Sequence, residues 1–238
     1  EAKDSSAIEN VVTSHDELFK QALNISGFSN PAAKEVERYG QALLYGYQRV
    51  RLTGMLTIND LTEIHSRLVV DPNLQGIRSH PGTVIGNQRT GIVVYEPPQD
   101  EAQIKDLLAS LLEYFNENSS TGLDPLIRMA LIHYQFEKIH PFYDGNGRTG
   151  RILNLLYLVL HDLQDLPVLY LSRFIIRNKS QYLTLFRQDQ PTEGWATWID
   201  FMLTGIEETA IETIETIQGL RHLMEDYRER IRNEHPRI

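Results

Sequence analysis

The sequence predicts an all-α domain carrying one small β-hairpin, and three observations point there. Apolar residues recur at helical spacing through most of the chain, as in Ile104, Leu107, Leu108, Leu111, Leu112 and Phe115, a stripe that one side of a helix would bury. Capping residues stand before such runs: Asn30 before Pro31, Asp124 before Pro125, and Ser14 three residues ahead of Glu17. Residues 82–96 break the pattern, because β-branched and aromatic residues there surround a turn-rich centre.

Taken in order, the periodicity predicts helices over 5–12, 15–23, 31–50, 58–69, 100–117, 125–139, 148–163, 178–189 and 193–232. The last would be roughly 60 Å long if straight, so breaks are expected at Gly205 or Gly219. In the exceptional stretch, Thr83, Val84 and Ile85, then Ile92, Val93, Val94 and Tyr95, flank Gly86-Asn87-Gln88-Arg89-Thr90-Gly91. That is the pattern of a hairpin. A lone two-stranded hairpin is marginal in water, so it must rest on helices or meet a ligand, a plain connector being the duller reading. No internal repeat or low-complexity tract appears, and one domain is the expected organisation.

The chain has 238 residues, no cysteine and a formal net charge of −9. The length suffices to bury a large core. The absence of cysteine excludes disulfides, thiolate zinc sites and a cysteine nucleophile, and it fits a reducing compartment, with the cytoplasm as the expectation. The acidic balance disfavours bulk nucleic-acid binding while leaving room for a local arginine cluster on a phosphate chain. No run of 18 apolar residues and no basic-then-apolar leader is present, so no membrane partner is expected. The start at Glu1 and the charged helical end read as trimmed, with a further domain expected beyond them.

The most informative stretch is residues 140–151, His-Pro-Phe-Tyr-Asp-Gly-Asn-Gly-Arg-Thr-Gly-Arg, between two helical runs. Gly145 and Gly147 let backbone N–H groups turn inward, and a helix starting near Arg148 offers its unpaired donors to the same point, which makes an anion cradle. Arg148 and Arg151, three apart, can each bracket phosphate oxygens in forked geometry. A polyphosphate is the natural ligand. Asp144 adds a hard oxygen suited to magnesium, and His140 can take a proton near neutral pH. Each residue alone has a structural explanation; their combination within twelve positions does not. Gly145-x-Gly147-x-x-Gly150 also matches a dinucleotide-binding pattern, but the run before it is helical where that motif needs a strand.

The loop resembles the Fic-family signature His-x-Phe-x-Asp/Glu-Gly-Asn-Gly-Arg-x-x-Arg at every fixed position. The resemblance implies a Fic-type helical bundle over roughly 30–205, and a protein adenylyltransferase that moves AMP from ATP to a Tyr, Thr or Ser hydroxyl of a protein, the chain itself included. It implies His140 as the base and Asp144 as the holder of Mg2+ on the α- and β-phosphates. Gly145, Asn146 and Gly147 would bind the α-phosphate, Arg148 and Arg151 the outer phosphates, and Phe142 would anchor the loop in the core. The hairpin, with Thr83, Val84, Ile85 and Gly86, resembles the family's flap, which positions a target segment as an added strand.

Upstream, Ser5-Ser6-Ala7-Ile8-Glu9-Asn10 fits the family's inhibitory pattern Ser/Thr-x-x-x-Glu-Gly/Asn, on Ser5, Glu9 and Asn10. A carboxylate reaching Arg151 would occupy the charge meant for the γ-phosphate and repel that phosphate. The resulting division is an inhibitory segment over 1–30, a catalytic core over 31–205 and a helical extension over 206–238. Two rivals stay open. One is a Fic/Doc-type phosphotransferase, whose loop resembles Ala-Asn-Lys-Arg where this chain has Gly145-Asn146-Gly147-Arg148. The other is a nucleotide-sensing interaction module without turnover, for which a retained His140 is unnecessary. Removal of AMP by the same site and an oligomeric state are left open as well.

Overall fold

The computed structural model describes residues 1–23, 30–87, 92–117, 122–187 and 194–234. Five of its helices, the second to the sixth in chain order, begin where the sequence supplies a side-chain acceptor for their first N–H groups. Ser14 and Glu17 form a capping box ahead of α2 (His15–Ala22), and the Asn30 side chain accepts from Ala32 and Ala33 ahead of α3 (Pro31–Thr53). Thr57 and Asp60 make a second box for α4 (Ile58–Leu68), Asp100 caps α5 (Glu101–Asn116), and Asp124 caps α6 (Pro125–Ile139). The remaining helices are α1 (Ala2–Ile8), α7 (Asn146–Leu160), α8 (Leu171–Arg177), α9 (Lys179–Arg187) and α10 (Gly194–Glu234), with one 3₁₀ turn over Pro72–Leu74. The fold is all-α with a two-stranded hairpin, as the periodicity predicts.

The core is organised around α7, which is buried on every side from Thr149 to Val159 and is accordingly apolar nearly all round. Helices α3, α4 and α6 pack on it, α5 packs on α6 and reaches α7 through Phe115 against Tyr157, and α10 packs on α6 and α8. Trp198 of α10 is fully buried, donates from Nε1 to the Ala130 carbonyl at 2.9 Å, and stacks on the His133 ring. Asn116 ties the end of α5 to the α3–α4 connection: its amide accepts from Leu56 N at 2.7 Å and donates to Leu56 O at 2.8 Å.

Several boundaries differ from the periodicity. Helix α1 spans 2–8 rather than 5–12 because the chain turns at Asn10, at φ 66°. The Lys179 ammonium holds that turn by donating to Ile8 O at 2.5 Å and Asn10 Oδ1 at 3.3 Å. Helix α8 has seven residues, too few to display a period, and was not predicted. Neither Gly205 nor Gly219 breaks α10. A Cβ at Gly205 would fall 2.5 Å from the Phe174 ring, so this glycine serves close packing with α8.

The hairpin pairs β1 (Ile85–Asn87) with β2 (Ile92–Tyr95), Ile85 opposite Tyr95, Gly86 opposite Val93 and Asn87 opposite Ile92, with an irregularity between Ile85 and Gly86. Thr83 and Val84, expected in the first strand, precede it, because the Gln99 amide takes the backbone there: it accepts from Gly82 N at 2.7 Å and donates to Thr83 O at 2.9 Å. Gly86 and Asn87, expected in the turn, belong to the strand; the rest of that turn, 88–91, lies outside the described residues. The hairpin rests on α6 through Tyr95 Oη, which donates to Lys138 O at 3.1 Å.

Because Leu56 is fully buried, Asn116→Ala leaves its backbone N–H and carbonyl without their partners. We expect a loss of about 1–3 kcal/mol, read from the urea midpoint at unchanged m-value.

Candidate active site

The site is a loop between two helix ends. Helix α6 closes on His140, whose N–H still donates to Phe136 O at 3.0 Å while its backbone turns into the left-handed region at φ 48°, ψ 58°. Pro141 prevents the helix from continuing. Five residues on, Gly145 at φ 75° admits the chain to α7, which starts at Asn146 rather than Arg148. The Asn146 side chain closes the loop, accepting from Phe142 N at 2.9 Å and donating to Phe142 O at 2.8 Å. Phe142 is fully buried and stacks on the His65 ring at 3.8 Å, while His65 Nε2 donates to Asp144 O at 2.8 Å. Burial holds His65 below the usual imidazole range, consistent with a neutral Nε2–H tautomer.

Arg78, fully buried, clamps the other side of the loop. It donates from Nε to His140 O at 2.7 Å and from Nη2 to Ile139 O at 3.3 Å and to Pro98 O. A cation there caps the carbonyl end of α6, where the helix dipole is negative. Burial, and then the charge of Arg78, push the His140 imidazole down to about 4, against the opposing effects of the Glu137 carbonyl, Glu9 and Asp144. At neutral pH His140 is therefore uncharged and able to accept a proton.

The N-terminus of α7 carries both arginines. Arg151, 2% exposed, donates from Nη2 to Glu9 Oε1 at 2.8 Å and to Ser5 O at 2.9 Å, and from Nε to Ser5 Oγ at 2.8 Å. The expected approach of Glu9 to Arg151 is thus present in the structure. The carboxylate also stands over the first turn of α7: a Cβ at Gly147 would come within 2.3 Å of Glu9 Oε1. Glu9 occupies the place where a helix start attracts an anion. Arg148 donates from Nη1 to Glu35 Oε1 at 2.6 Å and from Nη2 to Asp144 Oδ2 at 3.1 Å. Both guanidinium groups are matched by carboxylates.

Glu137, buried beside Gly150, faces Arg151 and Glu9 from α6, and burial pushes its carboxyl up to about 7. The flap residues Thr83, Val84, Ile85 and Gly86 join the loop through the preceding segment. There Arg78 N donates to Pro141 O at 2.9 Å, and Ser79 N and His80 N donate to Tyr143 Oη at 3.0 Å each. Sequence reasoning missed Glu35, His65, Arg78 and Glu137. Glu35 and Arg78 lie 113 and 62 residues from their partners, and no local pattern signals such pairs. Glu137, three residues before His140, was within reach as the one carboxylate on α6.

Gly147→Ala drives its methyl into the Glu9 carboxylate. It should cost about 1–3 kcal/mol in the parent, as overpacking does, and less than about 0.5 kcal/mol in a Glu9→Gly background, by thermal unfolding of all four combinations. Glu137 gives a pH signature. Its folded value lies above its unfolded one, so the folded state holds the extra proton and stability falls as pH rises from about 4.5 through 7. Glu137→Gln removes that fall. Its stability relative to the parent should grow by roughly 1–3 kcal/mol between pH 5 and pH 8, measured by denaturant unfolding at each pH.

The Fic/DOC family pattern matches residues 55–158, and the Fic/DOC family N-terminal pattern matches residues 1–48. The protein adenylyltransferase fic-1 of Caenorhabditis briggsae is 32% identical over 106 residues, covering 43% of this chain and 19% of that protein. The protein adenylyltransferase Fic of Drosophila willistoni is 33% identical over 100 residues, covering 41% and 18%. The chain thus spans about a fifth of the length of these relatives. A Fic family protein of Desulfovibrio desulfuricans superposes with a TM-score of 0.72 at 23% identity, over 90% of this chain and 63% of that one. Fic-1 of C. elegans, residues 134–508, gives 0.70 at 21% identity, over 93% and 62%. With both family patterns matched, between them over more than half the sequence, and the signature loop folded between α6 and α7, the chain belongs to the Fic/DOC family.

Proposed function

We propose that this chain is a protein adenylyltransferase restrained by its own first helix. The observation that carries the reading is an uncharged His140 at the end of α6, joined by a closed loop to a helix start bearing two buried arginines. An imidazole held neutral suits a base, and an N-terminus with Arg148 and Arg151 suits a triphosphate. His140 takes the proton of a Tyr, Thr or Ser hydroxyl on the target protein as that oxygen attacks the α-phosphorus of ATP. The bond to the β-phosphate oxygen breaks and pyrophosphate leaves. The first-turn N–H groups of Asn146 and Gly147 stabilise charge on the α-phosphate, and the arginines orient the outer phosphates.

Asp144 is the residue that would hold Mg2+. Among the described residues no cluster of three or more His, Asp or Glu forms a metal site, whereas the Asp144 side chain, 57% exposed at the cradle, is the kind of single carboxylate that magnesium combines with phosphates and water. Bound there, the ion would neutralise charge on the bridging phosphate oxygens. To release Asp144 and Arg148 for these roles, nucleotide must loosen the pair they form at 3.1 Å.

The restraint is the Glu9 carboxylate on Arg151 and over Gly147, where it competes with phosphate for the same donors. We assign residues 1–30, with Ser5, Glu9 and Asn10, to this restraint, 31–205 to catalysis, and the flap residues Thr83, Val84, Ile85 and Gly86 to holding the target segment. No helix among the described residues is long and apolar enough to cross a membrane. A cysteine-free chain is in keeping with action in the cytoplasm.

Transfer is tested by the mass gain of one AMP on the chain or a target after incubation with ATP and magnesium. Glu9→Gly should be clearly faster than the parent. His140→Ala should lose ~10²–10⁴ of the rate in either background while keeping nucleotide affinity. A gain of phosphate instead of AMP would mark a phosphotransferase, and an unchanged rate for Glu9→Gly would remove the restraint while leaving the loop assignment standing.

A further inference from the structure

Arg148 is aimed by two carboxylates that reach it from different elements. On α3 the buried stripe of Ala33, Val36 and Tyr39 faces the body, and Glu35, half-buried one turn before Tyr39, stands at its edge where α3 packs on α7. Its Oε1 accepts from Arg148 Nη1 at 2.6 Å, while Arg148 Nη2 reaches Asp144 Oδ2 at 3.1 Å. The Arg148 Nε is buried and has no acceptor among the described residues. The guanidinium therefore takes its direction from its two terminal nitrogens.

The two bonds are unequal. Glu35 makes the shorter and drier one, at 22% exposure against 57% for Asp144. A Cβ at Gly145 would lie 3.6 Å from Nη2, so the arm shared with Asp144 is the one over the loop. Glu35 itself stands apart from the cradle glycines: a Cβ added at Gly145, Gly147 or Gly150 meets Val69, Glu9 or Glu137 first. Glu9 thus covers donors that a phosphate would use, whereas Glu35 engages the other arm of Arg148. A guanidinium with both arms free grips one carboxylate by two parallel bonds. For Arg148 the carboxylate at hand is Asp144, four residues back.

We propose that Glu35 is a positioning residue for the cation end of the site: by holding Nη1 it denies Arg148 a two-armed grip on Asp144. The Asp144 carboxylate is then tied by one bond, which incoming nucleotide can loosen, and it stays available to magnesium. The same hold leaves Nη2 facing the loop for a phosphate oxygen. The inference rests on the reading of Asp144 as the magnesium holder. Partners that stand behind a metal ligand are commonly worth about 10- to 100-fold in metal affinity.

The test compares Glu35→Ala with Glu35→Gln, whose amide oxygen still accepts from Nη1, both in the Glu9→Gly background that frees Arg151. Calorimetric titration with ATP, in magnesium and in EDTA, reads the factor by which magnesium tightens binding. That factor should fall about tenfold in Glu35→Ala, hold in Glu35→Gln, and show no further fall when Glu35→Ala is added to Asp144→Ala. A tie between α3 and α7 with no part in aiming Arg148 would weaken ATP equally with and without the metal. A crystal structure of Glu35→Ala without nucleotide should show both arms of Arg148 on Asp144. An unchanged factor in Glu35→Ala, an equal fall in Glu35→Gln, or an Arg148 unmoved in that crystal would overturn the inference. If magnesium does not tighten ATP in the Glu9→Gly protein itself, the reading of Asp144 fails, and the crystal alone decides whether Glu35 aims Arg148.

Discussion

A guanidinium buried to 2% exposure at the start of a buried helix is the constraint on which the rest of this structure depends. Arg151 cannot sit there uncompensated, because an unpaired buried charge costs several kcal/mol. Its donors turn toward α1, where Ser5 supplies a hydroxyl and a carbonyl and Glu9 supplies the carboxylate. Glu137 approaches from α6, and burial pushes its carboxyl up to about 7, with the Arg151 charge opposing and the Glu9 carboxylate adding to the rise. The first helix, the signature loop and the end of α6 are therefore one electrostatic unit.

The loop is built from opposed helix termini. The carbonyl end of α6, partially negative, is met by Arg78; the amide end of α7, partially positive, is met by Glu9. Replacing a carboxylate by a triphosphate exchanges one anion for another at the second end and leaves the first untouched. His140 sits at the first end, where Arg78 and burial hold its ring neutral. On the proposed reading, the imidazole is held neutral chiefly by burial and Arg78, which nucleotide would leave in place, while Glu9, the anion it would displace, acts on the ring only as a lesser, opposing charge.

What could be read in the sequence was what is local. Ser14 with Glu17, Asn30 and Asp124 cap helices as their positions predict, because a cap is a contact between near neighbours. The loop was legible for the same reason: its glycines, amide and arginines act across a few residues. The start of the first strand was misplaced because Gln99, sixteen residues on from Thr83, takes the backbone that pairing would need. Arg78 and Glu35 were invisible because their roles exist only once α6 and α3 are packed. The Glu9 contact was legible only because its pattern resembles a known one; seven helical residues carry no periodicity that would aim a side chain 142 residues ahead.

The size of α1 decides what kind of element it is. Seven residues are too few to stay helical alone, and Ile8 is its one large buried apolar side chain, worth about 1.5–3 kcal/mol at most. Asp4 meets Arg173 at 3.5 Å, but that guanidinium is 40% exposed and shared with Glu212, so the pair adds little. The remaining attachment is polar: the buried bonds to Arg151 at one end with the Lys179 clasp on Ile8 O, and at the other end the Glu1 carboxylate, which accepts from Ser172 N at 2.9 Å, from Ser172 Oγ and from Tyr39 Oη at 3.3 Å. A ligand that takes over the Arg151 donors frees the Glu9 end of α1 and leaves the Glu1 end tied to α3 and α8. Helices α3 and α6 keep the stripes they bury against α7 after the same loss. The first helix is held at two ends, and the hold that an anion can compete for is the one at Arg151.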